Sequence, residues 1–338
     1  MEKIRVGIVG TGWRAQAWLR LLSKLQNRFA LAGVCCHGEA GAGPLRAAGV
    51  PVFFEPARLW GQGCAFVLVC VAKGAAYGVC RGLLQEGAAV LCETPAGTDE
   101  AECAAFASLG GRLQFAEQYP LLPRFAALRA AAERGMLGRV HTLLLSCCHG
   151  CHAAALARAL LGTGTLFPQV RALRTEDAYV RIRGREGELL PALQAAERVL
   201  AVLQFGGKTA LYDFSYPQYF SAIRRPRVLL QGTEGEADAA GGARIDGEDF
   251  SAFAFSYRRG GADDLAAPCL ETVSCGQEVL YRAPFAGAPL SDEELAMGEC
   301  LLKMQRFVQE GVPFYGPREA ALDARIAAAV HAAAREGE

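Results

Sequence analysis

MEKIRVGIVGTGWRAQ, residues 1–16, is the stretch on which the reading of this chain turns. An apolar run, Ile4 to Val9, leads into Gly10-Thr11-Gly12-Trp13-Arg14-Ala15, a strand followed by G-x-G-x-x-A. That is the fingerprint of a dinucleotide-binding βαβ unit. Gly10 lets the chain turn sharply off the strand. Gly12, lacking Cβ, lets a pyrophosphate approach the backbone N–H groups at the start of the next helix. Ala15 is small enough for close helix–strand packing, and Trp18, Leu19, Leu21, Leu22 and Leu25 give that helix its apolar content. The plainer alternative is a glycine turn that packs one βα unit and holds no ligand.

Working outward, apolar runs at 29–36, 52–54, 65–71, 89–92 and 113–117 read as strands, and 75–86 and 99–109 as helices. Residues 38–50 form a Gly/Ala-rich segment. The run AFVLVCV (65–71) is apolar throughout, as expected of a strand covered on both faces. Such alternation specifies a parallel, doubly wound sheet. Beyond residue 120 the rhythm changes. Helices are expected at 123–135 and 153–161, with a strand at 141–148. Strand-like runs at 170–173, 199–205, 209–214, 227–231, 253–257 and 279–282 mostly lack crossover helices, so an antiparallel sheet is expected. Residues 235–249 read as a Gly/Ala/Asp-rich loop, and 292–310 and 318–335 as closing helices. The expected fold class is therefore α/β. An N-terminal doubly wound parallel (Rossmann) sheet occupies 1–119, and a C-terminal α+β domain with an open, mostly antiparallel sheet occupies 120–338. The last helices are free to pack back on the first domain.

Composition agrees. A chain of 338 residues exceeds one comfortable core, so two domains are the default. Hydrophobic residues make up 52% and charged residues 21%, and 35 basic groups balance 35 acidic ones. That balance argues against nucleic-acid or membrane partners drawn by bulk charge. No apolar run is long enough for a membrane span, and the first strand starts too early for a signal peptide. Cytoplasm is the expected compartment. The 13 cysteines are scattered through apolar strands and helices rather than framing loops, and their number is odd. Both features read as reduced core thiols.

Several further motifs carry a family resemblance. QEGAAVLCETPAG (85–97) resembles the ALxAGKHVLCEKP segment of the glucose–fructose oxidoreductase, inositol dehydrogenase and MocA (Gfo/Idh/MocA) family. GMLGRV (135–140) is similar to the opening of that family's second domain, GTEGEA (232–237) to its mid-sheet turn, and residues 293–330 to its closing helices. The resemblance runs through nearly the whole chain in order. It implies an oxidoreductase passing a hydride between a nicotinamide, NAD or NADP, and a hydroxyl or keto carbon of a sugar, cyclitol or similar small polar substrate. It also implies a nicotinamide over the C-terminal edge of the first sheet, a substrate-holding lysine in EKP, and a histidine acid/base near the start of a second-domain helix.

The chain departs from this pattern at two places. EKP reads Glu93-Thr94-Pro95, and a threonine hydroxyl cannot do a lysine's charge work. Pro95 is expected to keep the turn, and Glu93 to reach the nicotinamide ribose. Lys73, directly after the strand at 65–71, is a candidate substitute, or else a solvated loop lysine. His152, with His149 beside it as a substrate ligand, fits the helix-start histidine, since imidazole titrates near pH ~6.5. The bland alternative is a histidine bonded to backbone. Arg158 is as readily structural as catalytic. Cys148-x-x-Cys151 with the two histidines also matches a zinc pattern, but adjacent residues at a strand–helix junction diverge, so no metal is expected. At the second departure the strand at 29–36 ends in Cys36-His37-Gly38-Glu39, with no carboxylate at Cys36 to repel a 2′-phosphate. His37 and Arg14 point to NADP, Glu39 to NAD, and both stay open. Trp13 either covers the pyrophosphate or packs against a loop. Gln118, at the sheet's C-terminal edge, is a further candidate contact. Tyr216 and Tyr219 read as sheet face or subunit interface.

Three functions remain. They are the oxidoreductase, a cofactor-binding sensor or partner-binding homologue with little activity, and an NAD-assisted lyase or hydrolase. An open sheet with one apolar face needs covering, so a homodimer or homotetramer is expected.

Overall fold

β1 (Ile4–Val9) is the strand around which the first half of the molecule is built. The computed structural model describes residues 3–179, 182–183, 188–190, 193–260, 269–285 and 287–336. The chain divides into two units, the first comprising Met1–Leu122, Arg259–Glu271 and Ala283–Ala321. After β1 come α1 (Trp13–Lys24), β2 (Phe29–Cys35), α2 (Glu39–Ala47), β3 (Val52–Phe53), α3 (Pro56–Trp60) and β4 (Phe66–Val69). These are followed by α4 (Lys73–Gln85), β5 (Val90–Cys92), α5 (Glu100–Ser108) and β6 (Leu113–Phe115). The strands form one sheet in the order β3-β2-β1-β4-β5-β6, with every neighbouring pair parallel. This is the doubly wound Rossmann sheet that the sequence predicts. Its order reverses between β1 and β4, the switch point at which open α/β sheets take ligands.

Residue choice explains the sheet. Phe66, Val67, Leu68 and Val69 of β4 are at most 1% exposed, since helices cover both faces. Phe106 of α5 meets Tyr77 and Phe115 edge-on at 5.3 and 5.4 Å. Each such buried side chain contributes about 1.5–3 kcal/mol over its exposed form. The Gly/Ala-rich segment forms α2, despite Pro44 inside it.

The second unit comprises Pro123–Arg258, Thr272–Arg282 and Leu322–Glu338. It contains α6 (Pro123–Glu133), β7 (Val140–Ser146), α7 (Gly150–Leu161) and β8 (Gln169–Tyr179). A short hairpin, β9 (Ile182–Arg183) and β10 (Leu189–Leu190), stands apart from the main sheet. Then follow β11 (Gln194–Phe205), β12 (Lys208–Ser215), a 3₁₀ turn (Tyr216–Phe220), β13 (Arg227–Gly232), β14 (Gly235–Ala237) and β15 (Gly241–Asp246). β16 (Asp249–Gly260), β17 (Cys269–Cys275) and β18 (Glu278–Arg282) complete the strands. The helices α8 (Asp292–Glu310) and α9 (Pro317–Glu336) close the chain. The ten-stranded sheet runs β18-β17-β16-β15-β14-β13-β7-β12-β11-β8. β12 and β7 are parallel, and the other described pairs are antiparallel.

One expectation fails here. Residues 235–249 are not a loop, because β14 and β15 pair within them. Their glycines permit that pairing: a Cβ on Gly242 would lie 1.9 Å from the Glu236 carbonyl oxygen, and one on Gly241 2.2 Å from that of Phe253. Glycine's poor strand propensity masked strands that need it.

The register gives this sheet two faces. Leu143, Leu145, Val199, Ala201, Leu203, Ala210, Tyr212, Phe214 and Leu230 are buried. Ala153, Ala154 and Ala157 of α7 and Ile326 and Val330 of α9 pack against part of that face. On the other face Leu144, Leu173 and Leu211 stay 37–43% exposed. No described helix is long and apolar enough to cross a membrane.

Candidate dinucleotide and histidine sites

Gly10 has φ +116°, and a Cβ there would stand 2.2 Å from the Cys70 carbonyl oxygen at the end of β4. Both the turn and the close approach therefore exclude a side chain. Gly12 caps α1 in extended conformation, no side chain bonds to the cap, and nothing lies within 4 Å of its would-be Cβ. Among the described residues the helix start thus has no side-chain cap and leaves room beside Gly12, which fits a pyrophosphate at a helix N-terminus. Thr11 lies against Gly41. Ala15 is fully buried, and Trp13 is 56% exposed.

Arg14 and Glu93, each expected to reach the cofactor, are bonded to each other. Arg14 Nε donates to Glu93 Oε1 at 2.6 Å and Trp18 Nε1 donates to the same oxygen at 2.5 Å. Arg14 Nη1 reaches Glu293 Oε1 at 3.2 Å, and the indoles of Trp13 and Trp18 lie 5.5 and 5.6 Å from the guanidinium. Burial works against the arginine's charge, yet Glu93, helped by Glu293, outweighs it and holds the guanidinium above its ordinary pKa. Two of the three guanidinium nitrogens of Arg14 are thereby engaged by carboxylates of the first unit.

Thr94, next to Glu93, is joined to half-buried Pro95 by a cis peptide bond, and Gln118 is 6% exposed. Arg14 Nη2, Thr94 Oγ1 and Gln118 Oε1 are buried with no hydrogen-bond partner among the described residues. Thr94 follows β5 and Gln118 follows β6, at the sheet's C-terminal edge. Lys73 is the exposed first residue of α4 and makes no ion pair with the described residues. His37 is exposed just past β2, whereas Glu39 is taken up by Arg46 at 2.5 and 3.2 Å. That bond holds the Glu39 carboxyl below its usual range. Arg46, 5.6 Å from the Phe54 ring, was missed by the sequence reading. Its signal was a spacing of seven from Glu39, which puts both on one helix face.

In the second unit, α7 starts earlier than expected. His149 is its N-cap, and His152 lies in its first turn, with ring centroids 5.9 Å apart. The 3₁₀ turn after β12 brings Tyr219 onto His149. Its hydroxyl accepts the His149 backbone N–H at 3.1 Å and lies 2.9 Å from Nδ1. Tyr216 and Phe214 flank the same imidazole at 5.5 and 6.2 Å. Tyr219 is thus part of the histidine cluster, not merely sheet face. The signal passed over was Tyr216-x-x-Tyr219-Phe220 at a strand exit. Arg158 turns away from chemistry: its Nη1 donates to both oxygens of fully buried Asp323 (3.0 and 2.9 Å), and its Nε to Gly164 O.

Residues 4–111 match the model of an oxidoreductase family with an NAD-binding Rossmann fold. No curated protein sequence matches the chain. Among solved structures, levoglucosan dehydrogenase in complex with NADH and levoglucosan is similar, with TM-score 0.69 at 13% identity over 100% of this chain and 98% of that one. A putative myo-inositol dehydrogenase from Sinorhizobium meliloti gives 0.64 at 17% over 99% and 98%. An oxidoreductase from Thermotoga maritima gives 0.63 at 18% over 99% and 97%. At such identities the structural likeness is one of fold. It is the Rossmann part of the chain, residues 4–111, that matches the Gfo/Idh/MocA oxidoreductase family model, described as an NAD-binding fold.

Proposed function

We propose that this protein is an NAD(P)-dependent oxidoreductase acting on a hydroxyl or keto carbon of a sugar, cyclitol or similar small polar substrate. The observation that carries the reading is the open, uncapped N-terminus of α1 at Gly12, at the sheet's switch point. When bound, the nicotinamide supplies hydride transfer. The backbone around Thr11, Gly12, Trp13 and Arg14 would hold the pyrophosphate. Glu93, fixed by Arg14 and Trp18, and the unpartnered oxygens of Thr94 and Gln118 offer acceptors at the strand ends. His152 would take or give the alcohol proton, and His149 would bind the substrate oxygen. Lys73 stands as the cation nearest in sequence to the strand end. Since Cys36 carries no carboxylate and Arg46 neutralises Glu39, NADP(H) is expected to bind at least as well as NAD(H). The exposed leucines of the second unit's sheet support a homodimer or homotetramer.

A second reading, a cofactor-binding sensor, is supported by the resemblance of Glu93-Thr94-Pro95 to EKP, in which Thr94 takes the lysine's place. Calorimetric titration with NAD, NADH, NADP and NADPH, followed by turnover assays on cyclic polyols and keto sugars, separates the two. Binding with turnover supports the enzyme, binding without turnover the sensor, and no binding removes both.

A further inference from the structure

We propose that the second unit carries a binding site for a phosphate-bearing small molecule, in a polar cavity of about 400 Å³ lined by β8, β11, β12 and the segment 221–226 that leads into β13. Every residue lining it belongs to that unit, so the proposal stands whether or not a dinucleotide binds the first. Charge decides the ligand class. The guanidinium groups of four arginines, Arg198, Arg224, Arg225 and Arg227, share the cavity with the carboxylates of two aspartates, Asp177 and Asp213, an excess of two positive charges. The chain as a whole balances 35 basic residues against 35 acidic ones, so the excess is local. Both carboxylates are already engaged. Asp213 accepts from Arg198 at 2.7 and 2.8 Å and from Arg227 at 3.2 Å. Asp177 accepts from the Tyr179 hydroxyl at 3.0 Å and has Arg198 Nη1 at 4.0 Å. Arg224 and Arg225 make no ion pair with any described residue. Two like charges facing one cavity repel, and a bound dianion relieves that repulsion.

Much of the site is built in advance. Arg224 lies over the ring of Tyr179 at 5.6 Å, and Tyr179 is 5% exposed with its hydroxyl tied to Asp177. Gln218 donates to the Ser146 carbonyl at 2.9 Å, and Arg227 Nη2 donates to Ser146 Oγ at 3.3 Å. The 3₁₀ turn before the segment and β13 after it are thus both anchored to the end of β7. Pro226 disfavours helical backbone at Arg225, which keeps Arg224-Arg225 from closing into a helical turn. An arginine's planar fork binds phosphate oxygens in pairs, with charge-assisted hydrogen bonds. A phosphomonoester carries a charge of about −1.5 to −2 at pH 7, which matches the excess where a single carboxylate does not. Ile223, exposed at the same cavity, offers apolar surface to the carbon body of such an ester. The two aspartates and the neutrality of the chain disfavour an extended polyanion, which would bring many further phosphates.

The test is calorimetric titration of the full-length protein with inorganic phosphate at low ionic strength, where such attraction is least screened. Saturable binding at millimolar phosphate is expected in the wild type, at least ~10-fold weaker in Arg224→Gln/Arg225→Gln, with acetate binding far more weakly than phosphate. No saturable binding by the wild type overturns the proposal. Binding that is unchanged in the double variant also overturns it, because the ion then sits elsewhere, such as at the start of α1. Equal affinity for acetate overturns the phosphate class. An oligonucleotide that binds through the same arginines more tightly than phosphate overturns the small molecule in favour of a nucleic acid. Should the double variant lose the wild-type circular dichroism, Arg225→Gln alone decides, since that exposed side chain holds no ion pair with the described residues.

Discussion

Gly10 and Gly12 share a motif, but the space around them differs, and that difference separates folding from binding. A methyl at Gly10 meets the Cys70 carbonyl at 2.2 Å in a backbone with φ +116°. Gly10→Ala is expected to destabilise the first unit by about 2–4 kcal/mol, read from urea unfolding. A methyl at Gly12 meets nothing within 4 Å and the backbone there is extended. Gly12→Ala is expected to unfold like the wild type yet bind the preferred dinucleotide at least ~10-fold more weakly, about 1.4 kcal/mol by calorimetry. Equal stability losses in the two variants would mean that Gly12 serves the fold alone. The tight turn at Gly10 was legible because a local motif dictates it. The Arg14–Glu93 bond was not, since 79 residues separate partners that only the parallel packing of the sheet brings together. Tyr219 was hidden for the same reason.

Among elements, the sequence showed type more clearly than extent. β4 and β5 declared themselves through unbroken apolar runs, whereas β14 and β15 were concealed by the glycines that let them pair. The docking of α7 on α9 could not be read either, because it depends on Arg158 meeting Asp323 across the fold. That pair is buried, with side chains 10% and 0% exposed. Removing one partner strands a charge, so Asp323→Ala is expected to cost about 3–5 kcal/mol in urea unfolding. The double change Arg158→Met/Asp323→Leu should restore much of the loss. If it does not, the pair holds α7 through more than charge compensation. Between β11 and β12, Arg198 binds Asp213 at 2.7 and 2.8 Å. This hydrogen bond, opposed by partial burial and aided by Arg227, holds the Asp213 carboxyl below its usual range. A carboxyl depressed on folding stabilises above its unfolded pKa, about 3.9, and loses that effect as pH falls through the folded value. The stability gap between wild type and Asp213→Asn is therefore expected to hold from pH ~7 to ~5 and to close below about pH 4, as urea midpoints across that range would show.

For the whole molecule, the decisive feature is the uncovered face of the large sheet. Leu144, Leu173 and Leu211 project there, with Leu200 and Val202 beside them, around a concavity of about 470 Å³ that Arg171, Asp213 and Arg227 help to line. Five adjacent strands, β13, β7, β12, β11 and β8, span roughly 20 Å at ~4.8 Å spacing. β8 and β11, of 11 and 12 residues, run roughly 35 Å at ~3.3 Å per residue. The product, about 700 Å², approaches the ~800 Å² each partner contributes to a standard stable interface. A two-fold contact is self-complementary, and this face offers apolar residues at its centre with both charge signs at its rim. Leu211→Lys places an ammonium among those leucines while leaving the buried face of β12 untouched. It is expected to raise the self-dissociation constant at least ~10-fold, about 1.4 kcal/mol, in sedimentation velocity, with the monomer still folded by circular dichroism. A wild-type protein that sediments as a monomer at high micromolar concentration would show that the face is not covered by a second copy, and would leave its exposed leucines to be explained by a different partner.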